Sequence, residues 1–316
     1  MALNLLKNLQ HQAILLLMVG GLLLALQDAL VKFMSETTSF WQFQTLRSFG
    51  NIVILSLIPF FMGLKFSVLV PKNLLMVAIR TSILLLCMFC FFSAAPTLSF
   101  AQMATGLYTY PIFVVIFGFV LLKEKFNYLK VIALFFGVSG ASLVIKPWDS
   151  NFSLLQLLPV LAGFFYACNL IILRKFCYSE SALAMNAAAA VGFFLSGIIG
   201  AVAVDTFTDD SLIKEFMPFI AVGWPEITVS VLIFAFVASI FNLSGNLCLV
   251  RAYQTSEGSW LAPLDFMYLV FALFWGKLIF NDFPDSISMV GIFFILLSGL
   301  TVALQALGAK KPFADL

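Results

Sequence analysis

Apolar residues run along this chain in blocks of about 20, separated by short polar connections. Ten blocks read as spanning helices, at 13–33, 39–62, 73–95, 98–122, 129–146, 154–174, 182–204, 226–249, 257–280 and 287–307. At ~1.5 Å rise per residue, a block of about 20 residues crosses a ~30 Å hydrocarbon core. The pattern predicts an all-α polytopic membrane protein with ten transmembrane helices. The longest connection, from Asp205 to Pro225, is acidic at Asp205, Asp209, Asp210 and Glu215 and too short to build a core of its own.

The chain also repeats itself. Displaced by 158 positions, Ala252, Thr255, Ala262, Phe271, Gly276, Phe293, Phe294 and Val302 meet Ala94, Thr97, Ala104, Phe113, Gly118, Phe135, Phe136 and Val144, and Asp282 meets Glu124. Apolar sequences match by chance, so the repeated glycine and the acid after the helix weigh more than the count. The repeat divides the chain into residues 11–146 and 154–307, five helices each, joined by the short loop Lys146-Pro147-Trp148-Asp149. An odd number of helices per copy sets the second copy upside down in the bilayer. The expectation is a 5+5 inverted repeat, a recurring build of secondary transporters.

Composition agrees. The chain is 62% hydrophobic and 10% charged, against roughly a quarter charged in a soluble domain. The net charge of +2 gives no reason to expect nucleic acid, because the basic residues are spread over short loops. With the N-terminus inside, Lys7, Lys65, Lys72, Lys123, Lys125, Lys130, Arg174, Lys175, Arg251, Lys310 and Lys311 fall on the inner side, and only Lys32, Lys146, Lys214 and Lys277 on the outer. That bias predicts a multi-pass protein of the cytoplasmic (inner) membrane with both termini cytoplasmic. The first block ends in Asp28 and Lys32 rather than at a small-residue cleavage site, so no cleavable signal is expected. The Cys87-Met-Phe-Cys90 spacing, inside an apolar block, reads as packing rather than redox chemistry.

Four ionisable residues lie within the blocks. Each costs about 2.5–3.5 kcal/mol at the bilayer centre on insertion scales, so each should face protein or water. Asp28 and Arg47, with Lys32 one turn from Asp28, read either as a gate or substrate contact near the outer side or as an ion pair between helices one and two. Arg80 and Asp265 lie nearer the inner side. Asp265 has apolar Leu107 as its repeat partner, and an acid that breaks the symmetry is the best candidate contact for a cationic or zwitterionic substrate, or for a proton. The alternative is an Arg80–Asp265 pair tying helices three and nine. Pro263 would free a carbonyl one turn back. Gln27, Tyr108, Asn169, Asn242, Asn246 and Trp260 are the further substrate-binding candidates. Trp260, Tyr108, Tyr268 and Phe266 offer rings to a planar group, although asparagine in such helices also serves as interhelical glue. Glu124 and Asp282 at helix ends read as caps or loop pairs.

Asp28-Ala-Leu-Val-Lys32-Phe, Arg47, Arg80, Tyr110-Pro111-Ile-Phe, Leu122-Lys-Glu124, Arg251-Ala-Tyr, Ala262-Pro263-Leu-Asp265-Phe and Phe280-Asn-Asp282-Phe-Pro284, in this order, resemble the drug/metabolite transporter superfamily, specifically its EamA-type ten-helix members. The resemblance implies a central cavity lined by helices 1, 3, 4, 6, 8 and 9, with helices 5 and 10 as scaffold. Asp282 stands where the family more often has Glu, and Pro111 faces Leu269 in the second copy, so the halves are not equivalent there. The nearest subgroup imports S-adenosylmethionine and riboflavin.

The expected function is secondary-active transport of a small polar organic metabolite by alternating access, in the lipid bilayer, as a monomer or homodimer. A broad-specificity drug, metabolite or amino-acid exporter is the alternative, and a non-transporting receptor or scaffold the rival of another class. An enzyme is not expected. Gly137-Val-Ser139-Gly140 matches an intramembrane serine-protease string, but His11, the only histidine, precedes the first spanning block. No catalytic residue, metal ligand or cofactor site is predicted.

Overall fold

The computed structural model describes residues 2–122, 128–150, 152–207, 217–255 and 265–308. Twelve helices are present there: α1 (Ala2–Met34), α2 (Phe40–Met62), α3 (Leu74–Ser93), α4 (Phe100–Leu107), α5 (Tyr110–Leu122), α6 (Tyr128–Ile145), α7 (Leu158–Phe176), α8 (Ala182–Phe207), α9 (Pro218–Ala221), α10 (Val229–Thr255), α11 (Met267–Phe280) and α12 (Ser286–Gly308). Seven stretches are long and apolar enough to cross a membrane, and three shorter apolar helices complete the predicted set of ten. Trp260, Pro263, Glu124, Asp209, Asp210 and Glu215 lie outside the described residues.

The ends follow from local chemistry. Ser39 caps α2 by accepting from the Gln42 N–H, and Gly63, at φ 63°, ends it in the left-handed region where a side chain is unfavourable. Ser99 and Gln102 form a reciprocal capping box at α4.

The predicted helix 98–122 is not continuous. It breaks at Tyr108–Thr109 into α4 and α5. Pro111 is the cause: it has no N–H to give the Leu107 carbonyl, and its ring crowds that oxygen. The carbonyls turn toward α7, where a Cβ on Gly163 would lie 2.8 Å from the Leu107 oxygen and 3.1 Å from that of Gly106. Only glycine leaves the freed Leu107 carbonyl and its Gly106 neighbour that room. In the described part of the predicted helix 257–280, Asp265 is helical, Phe266 is a turn, and α11 starts at Met267. Phe266 stands 158 positions from Tyr108, so the turn before α11 falls at the position equivalent to the break between α4 and α5.

Packing repeats the exchange. α1 lies against α10, and its counterpart α7 lies against α3; α1 also meets α11 as α7 meets α4. α2 pairs with its own counterpart α8, and α6 with α12. Along this last pair a Cβ on Gly140 would sit 2.6 Å from the Gly291 oxygen, while Ser298 Oγ donates to the Ala133 oxygen at 2.6 Å. Displacement by 158 converts Gly140 into Ser298 and Ala133 into Gly291, so one contact is the image of the other. Gly137 packs on the same seam, its Cβ position 2.9 Å from Ser298 Oγ. The glycine–serine string is thus part of a close helix contact, as small residues in membrane helices commonly are.

Odd-numbered spans run from the face where α1 begins (proximal) to the face where it ends (distal). The core is densest toward the distal face, where Phe43, Phe91, Phe92, Phe100 and Phe219 are at most 1% exposed.

Candidate functional site

A cavity of about 300 Å³ opens in the middle of the bundle and extends toward the proximal ends of the helices. Asp28, Arg47, Tyr108, Asp265 and Tyr268 line its inner part, and Arg80, Leu173, Met185 and Leu249 its proximal part. Gln27, Asn169, Asn242 and Asn246 also line it. The sequence-derived candidates from seven predicted spans thus converge on one space. Lys32 does not face it, and Trp260 lies outside the described residues.

Each inner carboxylate is held differently. Asp28 accepts from Gln27 Nε2 at 2.9 Å on one oxygen and from the Tyr268 hydroxyl on the other. Gln27 accepts from Asn242 Nδ2 at 2.7 Å, and Asn242 Oδ1 accepts from Asn51 Nδ2 at 3.1 Å. One polar chain therefore ties α11, α1, α10 and α2. Among the described residues Asp265 is met on one oxygen, by the Tyr110 hydroxyl at 3.2 Å, while Tyr108 donates to its backbone carbonyl at 3.0 Å. These two bonds bridge the two helix breaks. Tyr108 and Tyr268 stack at 5.2 Å and 12°, walling the cavity between the two acids.

The cations are held just as loosely. Arg47 donates to Gln44 Oε1 at 2.5 Å, and its Nε is buried without a partner among the described residues. The Arg80 Nε is likewise buried without a partner among the described residues. The expected alternative, an Arg80–Asp265 bridge between helices three and nine, is not formed: among the described residues the ion pair is Lys146–Asp285. Nor does Asp28 bridge to Arg47 or Lys32. Lys32 instead donates to the Ala95 and Leu98 carbonyls, at 2.6 Å each, and lies 5.2 Å over the Phe280 ring. The carbonyls after the end of α3 have no helical donor, and a terminal ammonium satisfies them. Asp282 lies within electrostatic reach of this ammonium, a loop contact of the kind expected of it.

Sequence reading missed part of the lining. Asn51, Asn186, Met185 and Phe193 bring α2 and α8 into the cavity wall, beyond the six helices that the resemblance implied. Asn51 stands four residues after Arg47, on the same helical stripe, and that spacing was the available signal. Asn186 is one turn into α8 and carried none. Cys87 and Cys90 are buried free thiols.

The EamA-like transporter family matches residues 11–146. An uncharacterized transporter of Helicobacter pylori is 25% identical over 92% of this chain and 94% of its own. The pseudopaline exporter CntI of Pseudomonas aeruginosa is 22% identical over 92% of this chain and 94% of its own. An S-adenosylmethionine uptake transporter of Rickettsia bellii is 27% identical over 60% of this chain and 58% of its own. A solved crystal structure shares the fold, with a TM-score of 0.60 at 16% identity over 93% of this chain and 98% of that one. Its apolar helices make this a multi-pass membrane protein, and the chain is similar along nearly its whole length to proteins named as transporters.

Proposed function

We propose that this EamA-like protein is a secondary-active transporter that carries a small metabolite bearing both a cationic and an anionic group. Residues 154–307 form the second, inverted EamA-type repeat. The proximal face is cytoplasmic, so both termini lie there, in the inner membrane. Alternating access presents the cavity to each side in turn.

The observation that carries the reading is Arg80 and Asp265: opposite charges open on one cavity, neither in an ion pair among the described residues. Buried charges left apart cost more than paired ones, and a dipolar ligand supplies both partners. Asp265 takes the cationic end, Arg80 the anionic end, and Gln27, Tyr108, Asn169, Asn242 and Asn246 shape the space between. Trp260, five positions before Asp265 in the sequence, belongs to the same proposal. Asp28 and Arg47 hold the inner wall, and Lys32 locks the distal ends of the helices.

S-adenosylmethionine is one molecule of this type, and the Rickettsia relative is named for its uptake. Export is the second reading, favoured by the match to the pseudopaline exporter along nearly the whole chain.

The test is a thermal-shift panel on purified protein with S-adenosylmethionine, riboflavin, amino acids, nucleosides and quaternary amines. A true ligand at a hundredfold excess over its Kd raises stability by about 2.7 kcal/mol. A shift confined to dipolar compounds and lost in Asp265→Asn and Arg80→Ala supports the reading. A shift that survives both substitutions removes these residues from the site. The hit is then followed into proteoliposomes in both directions, which separates import from export.

A further inference from the structure

The cavity reaches the proximal ends of the helices, and a layer of protein separates it from the distal face. The segment Met217–Pro225 lies in that layer across the start of α2, packed with Phe40, Phe91 and Phe92 in one buried cluster. Phe219, 1% exposed, packs edge-on against Phe40 with ring centroids 6.0 Å apart, and Phe40 packs on Phe89 at 5.8 Å. Three side chains of a single turn of α2 hold the segment's backbone. Ser39 Oγ donates to the Gly223 oxygen at 2.6 Å, Trp41 Nε1 to that of Ile220 at 2.8 Å, and Gln42 Nε2 to that of Pro225 at 2.5 Å. Trp41 reaches this position through a slot in α8: a Cβ on Gly200 would lie 2.1 Å from its ring.

The proximal face carries the image of this strap with a different filling. Ser181 starts α8 as Ser39 starts α2; it accepts from the Ala184 N–H and donates to the Val68 oxygen at 3.0 Å. Glu180 beside it accepts from the N–H groups of Lys72 and Asn73 at 2.9 and 2.7 Å. Phe66 in this connection is 59% exposed, whereas Phe219 is buried. Both loops are tied at equivalent points, yet only the distal one inserts an aromatic plug.

We propose that Met217–Pro225 is the distal gate, closed in this structure, and that Phe219 is its plug and the Trp41–Ile220 hydrogen bond its latch. The bonds are neutral and few. They release a nine-residue segment without moving the scaffold pair α6–α12. The proximal strap anchors its loop and closes nothing over the cavity here.

The gate rests on the alternating-access reading, but its test needs no ligand. Ala189→Cys places a thiol in the cavity wall. Proteoliposomes of known orientation are treated from one side with a membrane-impermeant, trimethylammonium-bearing thiosulfonate, and modification of residue 189 is followed by peptide mass spectrometry. Trp41→Phe keeps an aromatic ring and removes the donor; it should raise the labelling rate from the distal side about fivefold, the weight of one neutral hydrogen bond. Gln42→Leu should act likewise, and Phe219→Ala more strongly. Ser181→Ala, the equivalent change on the proximal strap, should leave distal labelling unchanged. Distal rates unaltered in Trp41→Phe and Gln42→Leu, with labelling from the proximal side intact, would overturn the gate. So would an equal increase in Ser181→Ala, which would mean general loosening. Where Phe219→Ala does not fold, the other two variants decide. A silent ligand panel with side-specific labelling would leave the gate standing and remove the transport reading instead.

Discussion

Asp28 and Asp265 are chemically the same residue in one cavity, and the structure gives them different work. Both oxygens of Asp28 are occupied, by Gln27 and Tyr268, and the Gln27 amide continues the chain to α10 and α2. One oxygen of Asp265 is left to the cavity. Asp28→Asn should therefore cost stability: it turns one accepting oxygen into a donor that faces the donors of the network, at about 1.5–3 kcal/mol for a hydrogen bond to a charged group. Asp265→Asn keeps shape and should leave the melting temperature within a few degrees while abolishing the shift given by a cationic ligand. Melting curves of the two variants, with and without the panel hit, check both statements. The reverse pattern would exchange the roles. Sequence alone did not distinguish these acids, because the distinction lies in tyrosines from other helices. Tyr110 and Tyr268 stand 155 and 240 positions away from the carboxylates they bind.

At the scale of the element, spans were legible and their interiors only partly so. Blocks of apolar residues located ten membrane helices because lipid demands length and internal hydrogen bonding. The break at Tyr108 was written in Pro111, yet a proline inside an apolar block is also compatible with a kinked continuous helix. What decides for a break is Gly163 on α7, which no local pattern connects to Pro111. Gly163→Val should clash with two carbonyls and destabilise the protein by about 1–3 kcal/mol, the usual cost of overpacking, read as a lower melting temperature. A variant as stable as the parent would mean that α7 moves aside freely.

A second element-scale device lies at the distal ends of α6 and α12. Lys146 Nζ donates to Asp285 Oδ2 at 2.6 Å, and this bond, with one to Ser288, lowers the Asp285 carboxyl from 3.8 to about 2. A depressed carboxyl adds stability above pH 3.8 and loses it as pH falls toward 2. The pair is exposed, so its contribution is below about 1 kcal/mol. Lys146→Met should thus lower stability slightly and equally at pH 5 and pH 7. A difference that grows between those two values would point to another titrating group.

The whole molecule is organised by an exchange of halves that the sequence announced through the wrong residues. The aligned Gly118 and Gly276 drew attention to the repeat, but a Cβ on Gly276 would meet nothing closer than 3.7 Å, an ordinary contact. The glycines that the fold requires, Gly140 and Gly291, align with Ser298 and Ala133, so identity is lost while smallness is kept. An inverted repeat conserves contacts under exchange, and a contact asks for volume, not for a residue name. The seam between α6 and α12 is its own image, which makes it the place where one substitution disturbs both halves together. Gly140→Leu and Gly291→Leu would drive side chains into backbone oxygens at 2.6 and 2.7 Å. Helix association in lipid rests on such close packing rather than on a hydrophobic drive. Each variant should therefore lose the monodisperse folded peak in size-exclusion chromatography, or melt well below the parent. Gly276→Ala, in the same bundle, should behave as the parent does. Equal tolerance of all three would show that the seam is not a fixed scaffold.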